Sequence, residues 1–156
     1  MSNVSEKGDV DLSLEKTLSE VWNGFTYFKE NDVVFAKITP CMENGKGAIM
    51  RGLKNGYGFG TTEFHVLRPI KSVSIPEWIF YLTSLRSFRK EAESNMTGSA
   101  GQKRVPKDFF DKYKTICPPI SLQLQFAQRI QEIKSQKALA EKALEKSDEL
   151  FNSLLQ

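Results

Sequence analysis

A polar loop with two glycines, residues 97–104, contains the side chains that a nucleic-acid ligand would need. Gly98 and Gly101 have no Cβ, so the main chain there can approach a phosphate group closely. If the ligand is DNA, contacts with phosphates position the protein, and contacts with base edges select the sequence. The candidate DNA-binding residues in this loop are Thr97, Ser99, Gln102, Lys103 and Arg104. Of these, Gln102 could read adenine. The alternative interpretation is a flexible connector ahead of a helix.

A second set of candidate DNA-binding residues surrounds a predicted turn at Asn44 and Gly45. The set consists of Lys37, Thr39, Asn44 and Lys46. For Asn44 the alternative is ordinary turn chemistry, because asparagine tolerates positive φ and hydrogen-bonds to nearby backbone. Which of these side chains face a ligand stays open, since a strand assignment that is wrong by one residue reverses the exposed face.

Residues that could catalyse a reaction are sparse. His65 is the single histidine and has no serine or cysteine at a recognisable spacing, so we interpret it as a structural strand residue. Cys41 and Cys117 form no CxxC motif, and we expect both to be reduced. The glycines at 56, 58 and 60 match neither of the nucleotide-binding loop patterns GxGxxG and GxxxxGK(S/T). No Asn/Asp-Pro-Pro-Tyr/Phe motif for adenine methylation is present, and the sequence therefore predicts no catalytic residue, metal or cofactor.

Basic residues are concentrated in the middle of the chain. Residues 1–32 contain three basic and seven acidic residues, residues 33–120 contain fourteen and seven, and residues 121–156 contain five and five. This distribution is typical of a polyanion-binding domain attached to a protein-binding helix, although a solvated charged surface would also produce it. No stretch approaches the roughly 18 apolar residues that span a bilayer, and the first residues lack a signal peptide, so we expect a cytoplasmic protein.

Residues 25–68 have the composition of β-strands. The predicted strands are 25–28, 32–38, 48–50 and 61–68, which are rich in β-branched and aromatic side chains. The pairs Asn44-Gly45 and Asn55-Gly56 supply the positive φ of tight turns. We therefore expect the strands on either side of each pair to form a hairpin.

After Pro76 the spacing of apolar residues changes to that of a helix. Apolar residues at 78, 79, 81, 82, 85 and 88 predict one helix that ends near residue 91 or 93, with Arg86, Arg89 and Lys90 on its other side. We expect a helical turn at 106–110 and a short strand at 113–117 next. The pair Pro118-Pro119 then ends the domain.

Residues 121–156 form one long predicted helix, since they contain no glycine or proline and are rich in Ala, Leu, Glu, Lys and Gln. Such a helix reaches about 50 Å, too far for a domain of this size to cover, so it must pair with another helix. The predicted dimerisation seam, with alternating spacings of four and three, is Phe126, Ile130, Ile133, Lys137, Ala140, Leu144, Ser147, Phe151 and Leu154. Its polar members, at 137 and 147, either set register or lie at the edge of an imperfect interface.

Several ordered motifs resemble one known family. Residues 32–48, DVVFAKITPCMENGKGA, and 58–69, GFGTTEFHVLRP, are similar to the target recognition domain of type I restriction-modification specificity subunits. Residues 97–106, TGSAGQKRVP, resemble the closing loop of that domain, and Pro118-Pro119 resembles the start of its spacer helix. The resemblance covers about residues 20–156, and several motifs in this order are more specific than any one alone.

The resemblance implies a non-catalytic specificity subunit that binds double-stranded DNA and recruits methyltransferase and restriction subunits. Such subunits carry two recognition domains, each reading half of a split target, held apart by two antiparallel helices. This chain has the equivalent of one domain and one helix, which implies a half-subunit or a fragment. We therefore expect an α+β target recognition domain at 1–120, shortened at its start, and a dimerisation or spacer helix at 121–156 that forms a homodimer.

Two other functions fit the same residues. The chain could be the recognition end of a fused restriction-methylation enzyme, in which case a methyltransferase domain would lie upstream in the gene. It could also be a coiled-coil protein-interaction adaptor whose basic face is incidental. A sequence preference in DNA binding separates the DNA reader from the adaptor.

Overall fold

The computed structural model describes residues 1–99 and 101–154. These residues include five strands, five α-helices and a 3₁₀ turn at Lys54–Gly56. In chain order the elements are α1 (Leu18–Val21), β1 (Thr26–Lys29), β2 (Val33–Ala36), β3 (Gly47–Ile49), β4 (Tyr57–Gly60), β5 (Phe64–Leu67), α2 (Pro76–Ser84), α3 (Arg86–Ser94), α4 (Asp108–Lys112) and α5 (Ile120–Leu154). The predicted α+β class, a β-rich domain with packed helices and a long final helix, is confirmed.

The centre of the domain is a three-stranded antiparallel sheet in the order β3-β2-β5. In it, Val34 pairs with Ala48 on one side and with Val66 on the other. Every residue of β2 is buried, because hydrophobic clusters cover both faces of the sheet. Val34 and Ala36 belong to one cluster, and Phe35, which points to the opposite face, belongs to the other. This double burial explains why the β2 sequence is continuously apolar and does not alternate.

The cluster around Phe35 connects the sheet to α3 and α4. Its buried members are Phe35, Met42, Phe88, Ala92, Val105 and Phe109. The ring of Phe88 lies edge-on to Phe35 at 5.4 Å and edge-on to Phe109 at 5.6 Å, measured between ring centroids. Met42 lies in the segment 37–46, which contains one set of candidate binding residues, and Val105 directly follows the segment 97–104, which contains the other. One hydrophobic cluster therefore supports both candidate loops.

A second, two-stranded sheet pairs β1 with β4. The β4 sequence alternates aromatic residues with glycines, and the glycines face the ring of Phe28. A Cβ atom at Gly58 would lie 2.5 Å from that ring, and one at Gly60 would lie 3.1 Å from it. These glycines make room for a core phenylalanine.

One of the two predicted hairpins is confirmed. β2 and β3 are antiparallel neighbours, and Asn44 and Gly45 lie in the connection between them. The prediction of a hairpin at Asn55 and Gly56 is wrong. These two residues have positive φ values of 60° and 74°, but the strand that follows them, β4, pairs with β1 and not with β3. An Asn-Gly pair supplies the backbone angles of a turn, but it does not determine which strand the chain then joins.

The helix predicted after Pro76 is interrupted at Leu85, whose ψ of 136° is that of extended backbone. The buried side chains lie on both sides of this break, with Phe80 and Thr83 in α2 and Phe88 and Ala92 in α3. The predicted apolar side is wrong at two positions. Leu85 is 51% exposed, and Phe80, which the prediction leaves out, is buried.

The segment between α4 and α5 differs from the prediction. The helical turn predicted at 106–110 corresponds to α4, which begins two residues later. Residues 113–117 form an extended connection and not the predicted strand, because none of the described strands pairs with them. The segment is anchored near its end, where Cys117 Sγ lies 3.6 Å from the carbonyl oxygen of Val73.

The helix α5 begins on the domain and then extends away from it. Phe126 packs edge-on against Trp78 and Tyr81 of α2, with ring centroids 5.6 and 5.5 Å away. From residue 131 to residue 154 every residue is exposed. The 35 residues of α5 extend about 50 Å, and the final two positions of the predicted helix lie outside the described residues. Within the described ranges, no helix combines the length and apolar character needed to cross a bilayer.

Candidate nucleic-acid interface

The two sets of candidate residues lie side by side. They are in two loops, called here the first loop (37–46) and the second loop (97–104). The N–H of Thr39 donates to the carbonyl oxygen of Lys103 at 3.0 Å, and the N–H of Val105 donates to that of Lys37 at 2.8 Å. A β-bridge joins the same two segments. The fold therefore brings residues that are distant in sequence onto one surface.

The second loop is closed at its base by two main-chain hydrogen bonds. The N–H of Thr97 donates to the carbonyl oxygen of Arg104 at 3.0 Å, and the N–H of Arg104 donates back at 2.8 Å. Nearer the tip, the N–H of Gln102 donates to the carbonyl oxygen of Ser99 at 3.0 Å. Gly98 has a φ of 120°, a region that favours glycine. The described part of the loop is therefore closed at its base by main-chain hydrogen bonds.

Arg104 is engaged by a carboxylate of its own domain. Its Nε and Nη2 donate to the two carboxylate oxygens of Glu63 at 3.0 and 2.8 Å, and its Nη1 donates to the carbonyl oxygen of Gln102 at 2.9 Å. The hydrogen bond from Arg104 holds the pKa of Glu63 below its usual value and raises the pKa of Arg104. Both groups are therefore charged at neutral pH. Glu63 is a residue that the sequence marks only as part of a family motif.

The other candidates of the second loop face solvent. Thr97, Ser99, Gln102 and Lys103 are all exposed. Across residues 1–99 and 101–154, no acidic side chain forms an ion pair with Lys103. A free ammonium can neutralise a phosphate, and hydroxyl and amide groups can bond to phosphates or base edges. These four side chains are accessible to a ligand without rearrangement of the loop.

The first loop is held in place by side chains. Thr39 Oγ1 donates to Oε1 of Glu43 at 2.7 Å. From α3, Arg89 donates to the carbonyl oxygens of Met42 and Gly45, the latter at 3.0 Å. Burial lowers the pKa of Arg89. Arg89, predicted on the side of the helix opposite the apolar residues, therefore has its guanidinium against the carbonyl groups of the first loop.

The remaining candidates of the first loop differ in exposure. Asn44 is exposed, and its N–H donates to the carbonyl oxygen of Pro40 at 3.0 Å, which is ordinary turn chemistry for its main chain. Lys46 is partly buried, and its N–H donates to the carbonyl oxygen of Cys41 at 2.9 Å. Lys37 is also partly buried, and its positive charge helps to lower the pKa of Glu63.

The surface formed by both loops is basic, but it includes acidic groups. Its basic residues are Lys37, Lys46, Lys103 and Arg104, and its acidic residues are Glu43 and Glu63. Since Glu63 already neutralises Arg104, the three lysines are the cations that can act on a ligand. A polyanion would therefore be attracted mainly through the lysines, in a salt-dependent way.

His65 joins β5 to the end of the second loop. Its Nε2 lies 2.7 Å from the carbonyl oxygen of Val105, and its ring is edge-on to Phe110 at 5.0 Å. Burial lowers the pKa of His65, with smaller contributions from nearby lysines. A neutral imidazole that donates from Nε2 to this carbonyl matches the interpretation of His65 as a structural residue.

Metal and thiol chemistry find no support in the described part of the chain. Within residues 1–99 and 101–154, no three His, Cys, Asp or Glu side chains lie close enough to hold a metal ion. Cys41 is partly buried and Cys117 is exposed, and neither forms a disulfide in the described part of the chain.

The predicted dimerisation residues divide into two groups along α5. Phe126 and Ile130 are partly buried near the domain, and Phe126 contacts α2. The rest are exposed: Ile133, Lys137, Ala140, Leu144, Ser147, Phe151 and Leu154. Lys137 lies 3.9 Å from Glu141 in an i,i+4 ion pair. The exposed apolar seam therefore begins at Ile133, after the helix has left the domain.

Gln123 fixes the start of α5, and the sequence offers little signal for it. The residue is fully buried. Its Oε1 accepts the N–H of Ile75 at 3.1 Å, and its Nε2 donates to the carbonyl oxygens of Val73 and Pro118 at 2.9 and 2.7 Å. A glutamine in a polar helix reads as a surface residue, and only its position five residues after Pro118 hints at a capping role.

Comparison with known proteins gives consistent matches. No family model matches the chain. The type I restriction enzyme EcoAI specificity subunit of Escherichia coli is 43% identical over 136 residues, which are 86% of this chain and 23% of that protein. The EcoEI specificity subunit of the same organism is 49% identical over 104 residues, 67% of this chain and 18% of that protein. The HsdS subunit from Thermoanaerobacter tengcongensis shares the fold, with a TM-score of 0.64 over 90% of this chain and 38% of that chain at 18% identity.

This chain spans about a fifth of the length of the two curated relatives. Both relatives are specificity subunits of restriction enzymes, which agrees with the prediction of a specificity subunit and not of a catalytic chain. The shared fold agrees with the predicted α+β class. Because of its sequence identity with these relatives and the order of its motifs, the chain belongs to the type I restriction specificity subunits over the stretch that it matches.

Proposed function

We propose that this chain reads a short element of double-stranded DNA through the first and second loops. In a type I restriction enzyme it would bring methyltransferase and restriction subunits to that element, in the cytoplasm. The names of its relatives, specificity subunits of restriction enzymes, support a role in choosing where such an enzyme acts. Binding would require no chemistry from the chain itself, in keeping with its loop residues.

The observation that carries the proposal is the junction of the two loops. The bonds from Thr39 to Lys103 and from Val105 to Lys37 make one continuous surface from two distant segments. The hydrophobic cluster around Phe35 supports both segments from below. A rigid surface of this kind can hold several side chains in register with a DNA groove.

The side chains divide naturally into two roles. Lys37, Lys46 and Lys103 are the proposed phosphate contacts, which position the domain on the duplex. The polar, uncharged candidates are the proposed contacts with base edges: Thr39, Asn44, Thr97, Ser99 and Gln102. Of these, Thr39 already donates its hydroxyl hydrogen to Glu43, so its oxygen would act as an acceptor.

Replacing Lys37, Lys46 and Lys103 together with alanine tests the phosphate contacts. Fluorescence anisotropy with a mixed-sequence DNA duplex at several salt concentrations gives the affinity and its salt dependence. Loss of each phosphate contact should reduce the slope of log K against log salt by about 0.9. The matched control replaces Lys134, Lys142 and Lys146 of α5, which removes the same charge from exposed positions outside both loops.

The two substituted proteins must differ for the proposal to stand. If the helix control weakens binding as much as the loop variant, the attraction is a general charge effect and the loops are not the interface. Selection of bound sequences from a random duplex pool then tests reading itself, since a coiled-coil adaptor would enrich no sequence.

The helix α5 is the proposed site of pairing with a second helix, in a homodimer that places two recognition domains apart. Its exposed seam contains apolar residues with large exposed fractions, such as Leu144 at 64% and Phe151 at 62%. Large apolar side chains in a row on a solvated helix mark an interaction surface. In functional terms we divide the chain at residue 120, although Gln123 and Phe126 tie the first turns of the helix to the recognition domain.

A further inference from the structure

We propose that Glu63 is a positioning residue of the DNA-reading surface. Its ion pair with Arg104 fixes the shape of the second loop, and Arg104 acts through this pair and not as a phosphate contact. The inference rests on the proposed function and specifies which charged residues of the surface touch DNA. It changes the role of Arg104, whose residue type alone suggests a phosphate contact.

Each of the three nitrogen atoms of the Arg104 guanidinium donates a hydrogen bond. Nε and Nη2 of Arg104 bind the two oxygens of the Glu63 carboxylate, and Nη1 binds the carbonyl oxygen of Gln102 within the loop. Two parallel bonds between a guanidinium and a carboxylate are directional as well as strong. The side chain therefore connects the turn before β5 to a main-chain atom inside the second loop.

The main chain of the loop is fixed at the same place. Arg104 exchanges two main-chain hydrogen bonds with Thr97, and its neighbour Lys103 accepts one from Thr39. The side-chain and main-chain bonds together connect residues 102–104 to Glu63, Thr97 and Thr39. The exposed groups of Gln102 and Lys103 start from this fixed stretch, so their positions depend on it.

Contact of Arg104 with a phosphate would be unfavourable in this arrangement. A guanidinium that turned towards a phosphate would weaken its carboxylate bonds, and the freed carboxylate of Glu63 would then face the DNA. A carboxylate and a phosphate repel each other, which offsets what the new contact contributes. Lys103, which has no such partner among the described residues, can reach a phosphate without this loss.

The two possible roles of Arg104 predict opposite signs for Glu63→Gln. If Glu63 only competes with DNA for Arg104, the substitution adds a net positive charge, frees the guanidinium and tightens binding. If Glu63 positions the loop, the weaker pairing of a neutral amide loosens the loop and weakens binding. Arg104→Lys separates the roles again, because lysine keeps the charge but cannot form the two-pronged pair.

The experiment measures the affinity of the full-length chain for a mixed-sequence DNA duplex across salt concentrations. We expect Glu63→Gln and Arg104→Lys each to weaken binding by about fivefold, the effect of losing roughly one ordered hydrogen bond. The salt slope should stay unchanged in both, since no phosphate contact is lost. Tighter binding by Glu63→Gln, or unchanged binding by Arg104→Lys, overturns the inference.

Amide hydrogen exchange without DNA gives a second, independent readout. The N–H groups of Thr97, Gln102 and Arg104 are bonded within the loop, so exchange at these positions should accelerate in both variants. Unchanged exchange overturns the inference even where affinity falls. If the unchanged chain binds no duplex at all, the proposed function fails, while the exchange measurement still decides whether the ion pair holds the loop.

Glu77→Gln is the matched control. Glu77 pairs with Arg51, and the exposed fractions of these side chains, 23% and 53%, are similar to the 25% and 39% of Glu63 and Arg104. Glu77 lies at the start of α2 and Arg51 follows β3, and both are outside the two loops. We expect this control to change neither affinity nor loop exchange. An equal loss in the control would assign the effect to net charge or general stability and would overturn the inference.

Discussion

Arg68 donates two hydrogen bonds to the carboxylate of Asp32, at 2.8 and 2.7 Å, and Asp32 is 1% exposed. Oδ2 of the same carboxylate accepts the N–H of Lys29 at 2.7 Å. Asp32 thus joins the turn between β1 and β2 to the residue that follows β5. Burial by itself would raise the pKa of Asp32, but the bonds from Arg68 and Lys29 outweigh it and hold the pKa below its usual range.

Asp32→Asn should therefore lower stability in a pH-dependent way. At neutral pH we expect a loss of about 2 kcal/mol, since a hydrogen bond to a charged group is replaced by a weaker one. Because the folded-state pKa is below the unfolded value of about 3.9, the carboxylate stabilises the fold fully above that value. The contribution is lost as the pH falls through the folded-state pKa. Urea unfolding at a series of acidic pH values should show the two proteins converging, and a constant gap would contradict this account.

Gln123→Leu should detach the start of α5. Leucine fills similar space but leaves the N–H of Ile75 and the carbonyl oxygens of Val73 and Pro118 without the partner that they now have. We expect a loss of about 2–4 kcal/mol in urea unfolding, because buried polar groups without a hydrogen bond are costly. Gln131→Leu, on the exposed part of α5, is the control and should change stability by less than about 0.5 kcal/mol. Equal effects would show that the contacts of Gln123 are unimportant.

The sequence predicts well the features that depend on residues close to one another in the chain. The length and composition of residues 121–156 predict α5, and the β-branched and aromatic residues around Val34 predict a strand. The two candidate loops are recognisable from their glycines and polar side chains. Local spacing determines secondary structure because periodicity and turn residues act over a few positions.

The features that the sequence does not predict depend on which distant residues meet. Glu63 and Arg104 are separated by the whole of α2 and α3, and no local pattern pairs them. Similarly, Leu85 continues a helical stripe in the sequence, but its extended backbone separates α2 from α3. Tertiary contacts therefore determine both where the helix ends and which side chain Arg104 pairs with.

Gly58→Ala tests the close approach of β4 to Phe28. An added Cβ would lie 2.5 Å from the Phe28 ring, a distance that forces the ring or the strand to move. We expect thermal and urea unfolding to show a loss of about 1–3 kcal/mol, typical of overpacking. In the background of Phe28→Leu the same substitution should cost less, since the smaller side chain leaves room. Additive losses in the double variant would contradict a direct clash.

Leu144→Glu should separate the proposed homodimer without unfolding the domain. Leu144 is 64% exposed in the single chain, so a glutamate there has no cost unless a second helix covers it. In a paired helix the carboxylate would be buried in an apolar seam, which is strongly unfavourable. Lys142→Glu is the control, because two residues along a helix place its side chain on the opposite face. Light scattering at several protein concentrations should show dimers for the unchanged chain and for the control, and monomers for Leu144→Glu. A monomeric unchanged chain would exclude the homodimer, and α5 would then need a different helix as its partner.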